Sequence, residues 1–576
     1  MISERPGLWA KRGAFALGAA CFVLAMGGCD SCKKKTQEAT DKVKKDIVAK
    51  IRPIDEAPAP ANLIGELVIK DPEGVAKRGV DGAGFSAEVG PSPYEKLIES
   101  INDENVKKGL RAVDPHGAIA AVAIAKFGAG EKPHGAMAAK LKDPELATVA
   151  LTTGAKGGEI KAWDSKVLDT QVYEPGADGK GEIAVYGSVV IVADDRATME
   201  NAGKYVAWKA SKGDSLGHDL SLRVPMDKIG PELQKLGVAA WSMVGPTDIP
   251  AKIKGALDPM IAPVLQGVAD MGPIAVDLDI DTKVVKIDDK IDAKGTFATW
   301  LGSLPSGDAS ALLSMPKADG VSLMRFGDSL GPLIYSSVDQ LLDMSAMPAP
   351  EKADLLKQVQ ALGKSLGTEA VLANKGSGPT SEFLVRFELK DGPAAKTALT
   401  ALEKAGLKAA AAGKLPKPPK VTPYKKFGAE GDQIDVEISP TSKISLLWAV
   451  RGSYLFVGFG NSGFTIADAG IDPASKATFD TDAAAKAKVA TYPSKGIISA
   501  SYGDTWSFSK SLLPGMAPPP APTPTAATTP IWSYSTADST GMAAKGEIPL
   551  AFVGDLTRFY IGMLMMFGGG GAPPPY

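Results

Sequence analysis

The run Ala184-Val-Tyr-Gly-Ser-Val-Val-Ile-Val192 returns 265 residues later as Ala449-Val-Arg-Gly-Ser-Tyr-Leu-Phe-Val457. Each copy sets two β-branched or aromatic runs around a Gly-Ser pair, the pattern of a β-hairpin with a two-residue turn. A hairpin that returns with its turn in place constrains the chain to a repeated module, because one copy implies strand neighbours that the other must also find.

The surrounding phrases recur in the same order. Leu63-Ile-Gly-Glu-Leu-Val-Ile69 reads as a strand stopped at Asp71-Pro72. Ser92-Pro93-Tyr94-Glu95 reads as a capping box that opens a helix with proline in its first turn. Ala118 to Ala125 and Ala136 to Leu141 read as strands, and Asp143-Pro144-Glu145 opens another helix. Downstream come a strand Val321 to Phe326, a helical run from Leu355 to Leu366, a strand Phe383 to Leu389 and a helix opened by Asp391-Gly-Pro393. Lys142-Asp143 matches Lys390-Asp391 at a spacing of 248, Asp71 matches Asp328 at 257, and Ala293-Lys-Gly295 matches Ala544-Lys-Gly546 at 251. Hairpins among helices without regular βαβ alternation predict an α+β class: two tandem related modules at 62–303 and 304–576, each a mainly antiparallel sheet with packed helices. The body loosely resembles uncharacterised duplicated bacterial envelope proteins, a resemblance that implies no activity.

Ahead of the modules, Arg5, Lys11 and Arg12 precede an apolar run from Gly13 to Met26 that is too short for an ordinary membrane span. It closes on Leu24-Ala-Met-Gly-Gly-Cys29. Small residues before a cysteine in this position resemble the lipobox of bacterial lipoproteins. That resemblance implies a signal peptide at 1–28, removal before Cys29, and acylation of Cys29. More than one acyl chain gives a lasting anchor, since each buried methylene contributes only about 0.8 kcal/mol. Residues 29–61, rich in Lys, Asp, Glu, Ala and Pro, read as a flexible tether with one short helix near 40–51. The expectation is an exported protein held on the periplasmic face of the inner or outer membrane.

Loss of the signal removes three basic residues and one acid from a chain of formal charge −2, leaving −4. That balance argues against nucleic acid as a partner. Cys29-Asp-Ser-Cys32 has redox-motif spacing, but it lies before Lys33-Lys34-Lys35 with no strand ahead to scaffold it. The mature body beyond it has no cysteine and must be held by its core.

Several motifs suggest chemistry. Gly458-Phe-Gly460-Asn-Ser-Gly463 is a Gly-x-Gly-x-x-Gly after a strand, but that strand belongs to a hairpin, and the sister copy reads Ala193-Asp-Asp-Arg-Ala-Thr198. Gly213-Asp-Ser-Leu-Gly217 and Gly327-Asp-Ser-Leu-Gly331 both resemble the Gly-Asp-Ser-Leu signature of a lipase and esterase family, with Ser215 and Ser329 at the nucleophile position. In that family the histidine base lies well downstream. Here the histidines are His116, His134 and His218, so none follows Ser329, and His218 stands three residues after Ser215. The histidines lack metal-ligand spacing. Asp277-Leu-Asp279-Ile-Asp281 opens like a calcium loop with Asp288 in twelfth place, but Thr282 stands where glycine is needed. The alternation reads instead as a strand with an exposed acidic face.

Residues 407–427 carry six lysines among prolines and alanines and read as a solvated insertion; 515–530 read as a Pro-rich loop. The apolar run Phe559 to Phe567 is too short to span and reads as core or contact surface. The sequence therefore predicts no catalytic residue, no cofactor and no metal site, and a single modified residue, Cys29. It predicts a lipid-anchored envelope protein with a non-catalytic binding or structural role and a protein or apolar ligand as partner. The alternatives are a carrier of an apolar ligand or lipid between its sheets and helices, and a serine hydrolase.

Overall fold

The computed structural model describes residues 53–554 and Thr557, apart from 101–109, 126–131, 153–160, 175–180, 246–250, most of 328–347, 377–380, 413–416, 440–441, 461–463 and 505–529. Cys29, Cys32, the tether helix near 40–51, Asp328, Ser329, the loop 515–529 and the run 559–567 lie outside the described residues. The class is α+β: antiparallel strands interleaved with helices. The chain divides into two compact units, 1–232 with 273–283, and 233–272 with 284–576.

The first unit contains β1 (Leu63–Ile69), β2 (Ile119–Ile124), β3 (His134–Lys140), β4 (Lys161–Ser165), β5 (Thr170–Glu174), β6 (Glu182–Tyr186), β7 (Val189–Ala193), β8 (Leu220–Val224) and most of β9 (Met271–Ile280). The strand order is β9-β8-β1-β2-β3-β7-β6-β5-β4, antiparallel throughout. One face buries Val122, Ala138, Val189 and Ile191 under the helix Arg196–Lys212, which contributes Met199, Ala202 and Val206. The other face packs Ala139, Ile183 and Val190 against Ile98 and Ala147 from the helices Pro93–Ser100 and Pro144–Thr152. The forward bond of the expected capping box forms: the Glu95 amide donates to Ser92 Oγ at 3.1 Å.

In the second unit lie β10 (Val284–Ala293), β11 (Gly320–Arg325), β12 (Leu366–Lys375), β13 (Glu382–Leu389), β14 (Lys420–Lys426), β15 (Ala429–Ser439), β16 (Ser442–Arg451), β17 (Tyr454–Gly460), β18 (Ile497–Asp504), β19 (Pro530–Asp538) and β20 (Gly541–Pro549). They run in the order β19-β18-β11-β12-β13-β17-β16-β15-β14, strand for strand the order of the first unit, with β20 and then β10 added beyond β19. β10 pairs with β20 from Val284 opposite Pro549 to Asp292 opposite Gly541, and residues 284–303 fall within the second compact unit. One face of this sheet buries Val371, Leu384, Leu447 and Phe456 with Ile466, Ile471 and Val489. The other packs Trp448 and Leu455 against Ala395, Leu362 and Leu399 of the helices Ala349–Ser365 and Gly392–Ala412.

Both predicted hairpins are present. Tyr186 faces Val189 and Arg451 faces Tyr454, so Gly187-Ser188 and Gly452-Ser453 are two-residue turns. Gly187 and Gly452 have φ of 57° and 56°, the left-handed conformation that disfavours any side chain. The strand ahead is tied to each turn in the same way: the Leu141 amide donates to Ser188 O at 2.8 Å and the Leu389 amide to Ser453 O at 2.8 Å.

Three expectations are corrected. Within 407–427 the described residues are solvated but do not form a loop: Ala409 to Ala412 continue the helix Gly392–Ala412, and Lys420–Lys426 form the edge strand β14. Lysines and Pro423 on that strand discourage further pairing at an open edge, while Tyr424 is buried. The Ala-Lys-Gly phrases are not equivalent positions: Gly295 starts a helix with φ of 55°, whereas Ala544 to Gly546 lie inside β20 opposite Asp289 to Ile287. The acidic face of β9 is only partly exposed, since the Asp277 side chain is 15% accessible.

Candidate functional site

The first three residues of the Gly-Asp-Ser-Leu-Gly phrase at 213–217 form a single 3-10 turn after the helix Arg196–Lys212, and residues 213–216 are held by the fold. A Cβ on Gly213 would lie 2.2 Å from that of Ala118. Asp214 forms an ion pair with Lys140 and accepts the Ala118 amide at 3.3 Å. Ser215 donates its hydroxyl to Lys212 O at 2.7 Å, and Leu216 packs on the core. The proton that a nucleophilic serine must give to a base is thus engaged by a backbone carbonyl.

Each histidine is paired with an aspartate. His116 Nδ1 lies 2.9 Å from Asp71, which caps the helix Pro72–Gly82 through the Gly74 amide. His134 Nδ1 lies 2.8 Å from Asp195, the cap of Arg196–Lys212. His218 Nδ1 lies 3.0 Å from Asp279.

His218 belongs to a polar cluster where β8 meets β9. Arg223 contacts both oxygens of Asp277, at 2.8 and 2.9 Å, and Ser221 Oγ donates to Asp277 at 2.5 Å. Arg78 bonds Asp219 at 2.7 Å and Ile280 O at 2.5 Å, and Asp219 in turn accepts the Ile280 amide. Burial pushes the Asp277 carboxyl up, but the Arg223 guanidinium and the Ser221 hydroxyl outweigh it and hold the group below the usual carboxylate range. The cluster supplies fixed charge that joins two strands. Its serine gives its proton to Asp277 and not to the histidine, so no nucleophile and base are matched there.

Gly458 and Gly460 of the glycine run lie in β17, and packing accounts for the first of them. A Cβ on Gly458 would meet the Phe464 ring at 3.1 Å. At the start of the helix Thr465–Ile471, where a pyrophosphate would sit in a dinucleotide fold, Glu382 accepts the Ile466 and Ala467 amides at 2.7 and 3.2 Å and the Thr465 hydroxyl at 2.7 Å. The chain's own carboxylate takes the anion position. Sequence spacing did not single out Glu382, Arg223 or Arg78; their partners lie 84, 54 and 141 residues away, beyond the reach of local pattern.

Among the described residues, no group of three or more His, Cys, Asp or Glu side chains could hold a metal ion. Among them, too, no helix is long and apolar enough to cross a membrane.

No protein-family model matches the chain, and no curated protein matches it. It is similar to the structure of crystal form IV of TP0453, at 12% identity over 45% of this chain and 99% of that one, with a TM-score of 0.20. So low a TM-score supports no statement about this chain.

Proposed function

We propose that the chain is a lipid-anchored protein of the bacterial cell envelope, held by an acylated Cys29, whose body serves binding or structural interaction without catalysis. The observation that carries the non-catalytic part is the engagement of the acid–base groups: Ser215 with Lys212 O, His116, His134 and His218 with aspartates, and Glu382 with helix amides. The anchor rests on the run that ends at Met26-Gly-Gly-Cys29. The body is read as a duplicated α+β module, supported by the shared strand order and by the matched hydrogen bonds of Leu141 and Leu389.

Fractionation tests this reading. The wild-type chain is expected with membranes and the Cys29→Ala chain in the soluble fraction, and purified protein is expected to hydrolyse no ester. Ester hydrolysis abolished by Ser215→Ala or Ser329→Ala in a folded protein would overturn the non-catalytic reading.

A second reading, the carrier of an apolar ligand, is favoured by one observation. Met324, Leu372 and Phe459 are exposed on the same sheet face that buries Trp448 and Leu455 farther along. Saturable uptake of a fluorescent fatty acid, lost in Phe459→Asp, would favour it over the first.

A further inference from the structure

The turn of the second hairpin lies beside a row of charge that the first hairpin lacks. Arg325 faces Glu369 across β11 and β12, and Arg386 on β13 stands opposite Val371 on one side and Phe456 on the other. Arg451 and Tyr454 face each other across the Gly452-Ser453 turn. Alternation along the strands puts these side chains on the face that buries Leu323, Val371, Leu384 and Phe456.

Arg386 is only 9% exposed. Its guanidinium donates to Ser314 Oγ at 2.6 Å and to Ala311 O at 3.3 Å, and its Cζ lies 5.0 Å from the Tyr454 ring centroid. Arg451 donates to Ile471 O and lies 5.5 Å from the Phe456 ring centroid. The nearby acids are engaged elsewhere: Glu369 with Arg325 at 2.8 Å, and Glu388 with the Thr368 amide at 3.3 Å. Among the described residues, no carboxylate lies within 4.0 Å of Arg386 or Arg451. Burial holds the Arg386 guanidinium below its usual range against the pull of Tyr454 and Glu369, and Arg451 adds to the effect.

A buried cation without a counter-charge is costly, and the strand arrangement does not require this one. In the first unit Ala138 faces Ile191 as Arg386 faces Phe456, and Tyr186 and Val189 flank the turn where Arg451 and Tyr454 do. There the same strand order closes over a buried alanine. Two guanidiniums that lack a carboxylate, beside a half-exposed phenol ring, are the complement of an oxyanion.

We propose that Arg386 and Arg451 form a binding site for an oxyanion, a phosphate or carboxylate group carried by a small ligand, with Tyr454 at its rim. The guanidiniums supply forked N–H donors, and their bonds to the carbonyls of Ala311 and Ile471 hold them to the fold. The site goes beyond the anchored, non-catalytic reading and does not depend on the state of Cys29.

Thermal melting of the full chain tests it, in chloride and in inorganic phosphate or succinate at matched ionic strength. The wild type is expected to show a saturable rise of about 3 °C at about 10 mM of one of the two anions. Arg386→Met and Arg451→Gln should each reduce that rise at least threefold. A response to phosphate alone assigns a phosphate ligand, and a response to succinate alone assigns a carboxylate. Circular dichroism checks that the variants are folded; if Arg386→Met is not, Arg451→Gln, at a partly exposed position, carries the comparison.

A wild type indifferent to both anions would overturn the proposal, and so would a rise that Arg451→Gln retains in full. The arginines would then be clamps that tie the end of the sheet to the carbonyls of Ala311 and Ile471. An unmodified Cys29 would end the anchor reading and leave this one untouched.

Discussion

His134 and Glu382 each begin the strand that lies beside the repeated hairpin, yet one forms an exposed pair with Asp195 and the other is buried with its carboxylate on the amides of Ile466 and Ala467. In the first unit the helix brings its own cap, Asp195, so the strand residue is an accessory. In the second, Phe464 at the cap position offers no side-chain bond, and Glu382 supplies the cap from a neighbouring strand.

Unequal costs follow for the two residues. Glu382→Ala should destabilise the protein by about 2–3 kcal/mol, since it removes a charged acceptor from two buried amides. His134→Ala should cost under about 1 kcal/mol, as expected of a solvent-exposed pair. Urea unfolding checks both, and equal effects would contradict the assignment.

Asp277 gives a pH dependence. Its carboxyl is held below the usual range in the folded state, so its contribution is present above the unfolded value of about 3.9 and is lost as pH falls through the lower folded value. Asp277→Asn should cost about 2–4 kcal/mol at pH 7, because it leaves Arg223 partly buried without its charge partner. The difference from wild type should shrink in acid. A constant difference from neutral pH down to pH 2 would contradict this.

Turn geometry is separable from packing at Gly452. Nothing lies within 4 Å of a Cβ built there, so Gly452→Ala should cost only the left-handed backbone penalty of about 1–2 kcal/mol. Gly431→Ala should be far more damaging, because its Cβ would sit 1.9 Å from Trp448 O. Thermal melting of the two variants should rank them in that order.

The fold was legible where the signal is local. Gly187-Ser188 and Gly452-Ser453 sit between runs of strong β preference, and Ser92 and Asp143 cap helices within three residues of themselves, so periodicity and capping place these elements. The lysines of β14 were misread because an edge strand and a solvated loop share a composition; only the pairing with β15 tells them apart. Asp277 looked exposed because Arg223 approaches it from another strand. The phrases that suggest chemistry resolve into packing for the same reason: the partners Lys140, Ala118 and Glu382 are distant in sequence.

The measurement that bears most directly on the account is the mass of the mature amino terminus of the wild-type protein purified from membranes. A chain that begins at Cys29 and carries a diacylglyceryl group, with or without a further acyl chain on the amine, is the expected result. A chain that begins elsewhere, or one with Cys29 unmodified, would contradict it.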